Sequence, residues 1–525
     1  MANVAANDHA DEPVSATEFV DRALSCWSNI HSAGGNQSPH ATVLPAFPEV
    51  ADGRHATVSL TLPELPVDAF VDWLGPRLIW WPQGMPKHRR TAIISSRLGR
   101  RKDQKRWWFD ALRTAVLHSD FDSEMLCSAP DTAAAAAVAR AGELFGMPRL
   151  KLEIAPEAAI SVADLRQWLQ QRFDQPLPEK KAAACLEYVA EISPPVQVAA
   201  SIDAAPASVA PEAAIRDAVT VVAAQRIVAV SCRPRGRIEA LLRRQLNDER
   251  LTAPVLLASI TGGEPVSEEL IAQGAVPWIL KERCPEPVSD ANPINRPPDS
   301  TPNTTPQADV LPQQWVTRSG PLAEPDMWLC HWTRPQFGPW RHQPEEDFLD
   351  ELILGCPTAD RSALAALLRI LEQKTILASR SARNAAATVS LTAVPLAEFR
   401  RRRVFRQHKQ RYDFEPWGIA IRRSVVETLG GRAVTYVDLD SGGNKIDKAT
   451  ADTDSDTPSP AAFLQRRTNA QGTIDWSEER EWRLIGDLNL ASLGSHDVVV
   501  FVNSEEEEFA VQGNCVWPVI AVPQP

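Results

Sequence analysis

The chain has 525 residues, too many for one ordinary domain and enough for two to four. Hydrophobic residues make up 44% and charged residues 23%, a balance that supports sizeable cores, while a formal charge of −12 argues against a general nucleic-acid or membrane-surface coat. The polar start MANVAANDHADEP is expected to carry no secretory signal, and no apolar run approaches the roughly 20 residues of a membrane helix, so the expected compartment is the cytoplasm. Residues 1–48 read as a polar N-terminal segment with a short helical piece at Ala16–Trp27. From residue 49 to 283 short apolar strands alternate with helices. Leu78–Trp81, Ala92–Ser95, Glu124–Cys127, Leu150–Ile154, Arg226–Val230, Val255–Ser259 and Val276–Leu280 read as strands. Pro66–Trp73, Trp107–Leu117, Ala133–Phe145, Ile238–Leu246 and Val266–Gln273 read as helices, with Thr132 as the N-cap of the alanine-rich one. That alternation predicts crossover connections and a doubly wound, mostly parallel α/β domain. A flexible insertion is expected at about 194–211.

Residues 284–314, rich in Pro, Asp, Asn and Thr, cannot form a core and read as a linker. Beyond it, residues 315–525 predict a smaller mixed α+β domain. Its helices are expected at Phe348–Leu354 and Ser362–Gln373, its strands at Trp417–Ile421, Ala433–Val437, Glu481–Ile485 and Val498–Val502. A mobile loop is expected at about 441–460. The eight cysteines are scattered without a C-x-x-C pair, which disfavours a disulfide framework or structural zinc, and no metal site is expected.

Two loops of the first domain follow strands and precede helices. One is SSRLGRRKDQKR at 95–106, where Ser95, Ser96, Arg97 and Gly99 suit a phosphate-contacting turn; the other is SCRPRGR at 231–237, with Arg233, Arg235 and Gly236. Ligands of open α/β sheets bind beyond the carboxyl ends of strands, often where a helix N-terminus offers free N–H groups. Neither loop is a dinucleotide or Walker fingerprint, and solvated basic turns are the alternative reading. On "SSRLG", "RPRGR" and the strand–loop–helix order, this half resembles the Rossmann-like nucleotide-binding domains of the DprA and lysine-decarboxylase-like (LOG) superfamily. The superfamily's usual double-glycine loop is absent. The resemblance implies a nucleotide-like ligand.

In the second domain the stretch DWSEEREWRLIGDLNL, Asp475–Leu490, concentrates carboxylates, tryptophans and arginines. Read as a strand, it places Glu479 and Glu481 on one face and Arg480 on the other. An amphipathic surface element with salt bridges is the competing reading. LCHWTR at 329–334 places His331 and Thr333 together, although a histidine in an apolar strand is more often a core residue. Ser390 and Thr392 occupy a middle strand. An early His, a middle S-x-T and a late E-x-E follow the chain order of the ADP-ribosyltransferase fold, which this half resembles. It also resembles a bacterial domain of unknown function marked by an acid before an aromatic–Arg pair, here Glu481-Trp482-Arg483, and by a W-G-I element, here within RYDFEPWGI.

The transferase resemblance implies that NAD is bound. His331 would contact the adenosine-side ribose with help from Thr333, and Ser390 would brace the glutamate. Glu481 would hold the nicotinamide ribose and stabilise the oxocarbenium-like state, and Glu479 would position the acceptor. Tyr412, Tyr436 and Trp417 are candidates to stack the nicotinamide, and Glu478 leaves the choice of carboxylate open by one register. The basic run RRRRVFRQHKQR at 400–411 reads as a solvated helix face or, with Phe405 and Tyr412 interleaved, as a surface for phosphate-rich targets. Together the resemblances imply a two-domain bacterial effector, with nucleotide sensing coupled to an NAD-dependent transferase or glycohydrolase in anti-phage defence or a toxin system. The acceptor, protein or nucleic acid, stays open. A non-catalytic nucleotide-binding scaffold is the alternative. A metal-dependent nuclease using Asp475, Glu479 and Glu481 ranks last, because Arg483 stands where such sites carry lysine.

Overall fold

A computed structural model describes residues 16–32, 56–98, 105–155, 158–174, 186–197, 212–259, 267–280, 327–380, 386–406, 411–437, 460–468, 475–513 and 515–522. The expected linker at 284–314, most of the insertion at 194–211 and most of the loop at 441–460 lie outside these residues, as does Gly99. The chain divides into two compact units, 1–291 with 341–359, and 292–340 with 360–525. The fold is mixed α/β with parallel and antiparallel sheets. No helix among the described residues is long and apolar enough to cross a membrane.

The first unit is built on nine strands: β1 (Thr57–Ser59), β2 (Ile79–Trp81), β3 (Arg89–Ser95), β4 (Glu124–Ser128), β5 (Arg149–Ile154), β6 (Glu187–Ile192), β7 (Arg226–Ser231), β8 (Val255–Ser259) and β9 (Val276–Ile279). Their order in the sheet is β1-β2-β6-β5-β4-β3-β7-β8-β9. From β6 to β9 every neighbouring pair is parallel, and β1 and β2 close one edge antiparallel. In the core strands RRTAIIS and RIVAVS every residue after the first is buried, because both sheet faces are covered. Ala92 and Ile94 face a core with the helices Val67–Leu74, Glu212–Ala223 and Arg237–Asn247, whereas Ile93, Val228 and Val230 face one with Arg106–Leu117 and Ala135–Phe145.

Four sequence expectations are corrected in this unit. The segment before residue 48 is more than a polar arm: Ala16–Ser32 is a helix whose Phe19, Val20 and Trp27 are fully buried against β1, β2 and the helix Val162–Phe173. Its i, i+1, i+4, i+8 apolar spacing is that of an amphipathic helix. Thr132 does not cap the alanine-rich helix; its hydroxyl donates to the Ala129 carbonyl, and Ala134 precedes the first turn. The helices Val162–Phe173 and Glu212–Ala223, absent from the sequence reading, are both part of the fold. Finally, the helix Glu345–Leu354, expected within the second domain, belongs to the first unit. Phe348, Leu352 and Ile353 enter its core, and Asp350 takes both Arg140 Nε and Nη2 at 2.6 and 2.7 Å.

The second unit contains β10 (Trp328–Trp332), β11 (Thr375–Ile376), β12 (Thr388–Thr392), β13 (Phe405–Arg406), β14 (Arg411–Tyr412), β15 (Gly418–Arg422), β16 (Arg432–Ala433), β17 (Thr435–Val437), β18 (Leu464–Arg466), β19 (Glu481–Ile485), β20 (Leu488–Asn489), β21 (Val498–Val502) and β22 (Val519–Ala521). Seven of them form one sheet in the order β16-β19-β12-β10-β15-β21-β22, antiparallel except for β21 beside β22. One face, with Leu329, Leu391, Ile419, Trp482 and Val500, buries Leu367 and Leu371 of the helix Ala363–Gln373. The other, with Cys330, Trp332, Ala420 and Phe501, is covered by Phe414 and Leu396. The ladder is uneven. β10 pairs with β15 over five residues but with β12 at only one, Cys330 opposite Thr392. The sheet therefore opens between β10 and β12.

Candidate functional site

The opening between β10 and β12 is a cleft of about 460 Å³, lined by residues 330–334 and 388–392 together with Gln336, Phe414, Glu479 and Glu481. Consecutive residues of both strands line it because a parted ladder exposes side chains of both parities. His331 shares its parity with Leu329 on the large apolar face. Ser390 and Glu481 share the opposite one, since Ser390 pairs with Arg483 and Thr392 with Glu481.

A line of hydrogen bonds crosses the gap. The His331 imidazole contacts the Ser390 carbonyl through Nδ1 at 2.9 Å, and Ser390 Oγ donates to Glu481 Oε1 at 2.9 Å. Burial pushes His331 down to about 4, against the Ser390 carbonyl, which favours the cation, and with the Arg334 charge acting in the same downward sense. The ring is then neutral at pH 7. A carbonyl partner at Nδ1 assigns the proton there and leaves Nε2 as an acceptor.

Glu481 is held from behind. Arg483, two residues on and 4% exposed at its side chain, donates Nε to Oε1 and Nη2 to Oε2, each at 2.9 Å. It also donates to the Ala462 and Leu464 carbonyls and to Gln465 Oε1. The Glu481 backbone N–H donates to the Tyr436 hydroxyl at 3.0 Å, and burial pushes that phenol up to about 12. Tyr436 thus braces the start of β19.

The strand reading of E-x-E does not hold. Trp476–Glu479 is a 3-10 turn, and Arg480 takes a left-handed φ of 43° before β19 begins at Glu481. Glu479 and Glu481 nevertheless both line the cleft, through this turn rather than strand alternation. Thr392 Oγ1 donates to the Glu479 carbonyl and pins it. Glu478 is turned to Arg402, whose Nη1 lies 3.4 Å from its carboxylate, and Asp475 caps the turn through Ser477. No group of His, Cys, Asp or Glu among the described residues has metal-binding geometry.

Thr333 lines the cleft, but both its N–H and its hydroxyl go to the Trp417 carbonyl at 3.0 Å. Of the proposed stacking rings, Trp417 donates Nε1 to Glu507 at 2.7 Å, and Tyr412 packs on Phe405 with the Arg403 guanidinium 4.0 Å from its ring centre. Neither is among the cleft's lining residues. Phe414 and Trp332 are the aromatics that line it, edge-on to each other at 5.5 Å. Sequence reasoning passed over Phe414, Gln336 and Arg334; the "HWTR" run held Arg334 in view, but only the parted ladder marks it as cleft-lining. At the basic run Phe399–Arg402 is a short helix and β13 pairs antiparallel with β14, while residues 407–410 lie outside the described residues. Three of its described arginines meet acids, Arg402 at Glu398 and Glu478, Arg403 at Glu415 and Arg406 at Asp413.

In the first unit the structure joins the two singled-out loops. β3 and β7 are neighbours at the point where the strand order reverses direction. Ser96 N–H donates to the Ser231 carbonyl at 2.8 Å, Arg233 N–H to Ser96 Oγ at 3.0 Å, and Arg233 Nη2 to the Arg97 carbonyl at 2.5 Å. Ser95 Oγ accepts from Trp108 Nε1 at 2.8 Å. Arg235 takes a left-handed φ of 57° and directs its N–H at the buried Glu239 carboxylate, while Gly236 opens the helix Arg237–Asn247. Arg237 pairs with the buried Asp217 at 2.6 Å. The carboxylates of Glu239 and Asp217 thus already occupy part of the electropositive ground that the loops were expected to offer an anion. No protein-family model matches the chain, and no curated protein matches it.

Proposed function

We propose that the second unit is an ADP-ribosyltransferase-like domain that binds NAD in the cleft between β10 and β12 and acts on its N-glycosidic bond. The first unit would be a Rossmann-like domain binding a nucleotide-like ligand beside the Ser96–Arg233 junction. The observation that carries the reading is the hydrogen-bonded line from His331 through Ser390 to Glu481 across three strands at one cleft. In the reaction the C1′–N1 bond breaks and its electron pair leaves with nicotinamide. The developing positive charge on the ribose is stabilised by the carboxylate, and water or another nucleophile then bonds to C1′. His331 Nε2, an acceptor in a neutral ring, suits a ribose hydroxyl donor.

A second reading has its own observation. Arg483 engages both oxygens of Glu481, which neutralises the charge that the transition state would need. A cleft so arranged binds a dinucleotide without cleaving it. Nicotinamide release from NAD separates the two: wild type releases it and Glu481→Gln falls by about 10²-fold or more if the carboxylate acts in the transition state. Equal rates in both would refute a catalytic Glu481. Saturable NAD binding without release would favour the binding-only form.

A further inference from the structure

We propose that Arg334 is the anion-binding residue of the cleft and takes the diphosphate of a dinucleotide whose cationic nicotinamide end lies toward Glu479 and Glu481. This rests on the NAD reading above. Arg334 is exposed, lies two residues beyond β10 and lines the cleft beside His331. Among the described residues that line the cleft it is the only arginine or lysine, and it has no carboxylate partner. Other arginines of the unit are paired with acids, as Arg402, Arg403, Arg406, Arg423 and Arg483 are, or lie over rings, as Arg369 and Arg432 do on Trp340 and Phe463. An arginine kept in a concave site without an internal partner is available to an anionic ligand, and its fork of donors matches two phosphate oxygens.

Strand register places this charge relative to the acids. Glu481 pairs with Thr392, and Thr392 with Cys330, so the acid is level with Cys330. Thr333 N–H continues the β10 ladder onto the Trp417 carbonyl, so the chain stays extended as far as Arg334. Four residues at about 3.3 Å each separate Glu481 and Arg334 by about 13 Å along the strand direction. The cleft therefore has an acidic end and a basic end. A ligand with a cation at one end and an anion further along fits that polarity, and NAD carries a pyridinium, then a ribose, then a diphosphate. The reverse orientation would set the diphosphate against two carboxylates.

The test is equilibrium binding of NAD and of ADP-ribose, which keeps the diphosphate but lacks the reacting bond, to the full chain carrying Arg334, Arg334→Gln or Arg334→Lys. Loss of paired charge-assisted hydrogen bonds should weaken both ligands at least tenfold in Arg334→Gln. Lysine should restore part of the affinity, and raising the salt concentration should weaken wild type more steeply than the glutamine variant. Equal affinities in wild type and Arg334→Gln would overturn the assignment of Arg334 while leaving the NAD reading in place. Wild type that binds neither ligand would overturn both. Because Arg334 is exposed, an unchanged circular dichroism spectrum separates lost binding from lost fold.

Discussion

Replacing Arg483 by methionine tests the physics of the cleft without assuming a substrate. The side chain is 4% exposed and Glu481 17% exposed, so neither charge is screened as a surface pair would be. Methionine keeps much of the volume but removes both donors to the carboxylate and the donors to Ala462, Leu464 and Gln465. Breaking a buried pair from one side typically costs about 3–5 kcal/mol, because the remaining charge is left without compensation. Native-state hydrogen exchange reads this locally: protection of β12 and β19 amides should fall by roughly a hundredfold to a thousandfold or more. Adding Glu481→Gln should recover part of the loss, about 1–2 kcal/mol, since the orphaned charge is gone. A change below about 1 kcal/mol in Arg483→Met, the worth of an exposed pair, would refute the buried clamp, as would a double variant weaker than either single one by simple addition.

Two further outcomes follow from the same geometry. His331 falls from an ordinary 6.5 to about 4 on folding, so the native state favours the neutral ring. Its contribution is present above pH 6.5 and is lost as pH falls from about 6.5 to about 4. Amide protection of β10 should decline across that window in wild type and decline less in His331→Asn, which keeps a donor for the Ser390 carbonyl but does not titrate; parallel pH profiles would remove His331 as the cause. Gly418 is the second: a Cβ there would meet the His331 carbonyl and the Phe501 ring. Gly418→Ala should destabilise β10–β15 by about 1–3 kcal/mol, read by urea unfolding, and an unperturbed variant would mean that the strands do not approach so closely.

Much of the secondary structure was legible because its signals are local. RIVAVS, GIAIR and VVVFV are apolar runs that only a covered sheet explains, and the loops at Ser95 and Ser231 were visible as strand-to-helix turns. His331, Ser390 and Glu481 were singled out by residue type and order, and all three line one cleft. What failed turned on single backbone angles or distant packing. Arg480's positive φ breaks the alternation that E-x-E was read with, and nothing in a run of charged residues announces it.

The sequence by itself determined where apolar periodicity changes, which segments cannot form a core, and which chemically capable side chains recur on separate elements. It did not determine their partners. Tertiary structure alone decided that Glu345–Leu354 joins the first unit, that β3 and β7 lie side by side, and that β10 and β12 share a single pair before parting. The reason is physical. Periodicity reports which face of an element must be buried, whereas strand order, register and the gap between two strands are set by competition among nonlocal contacts of similar energy.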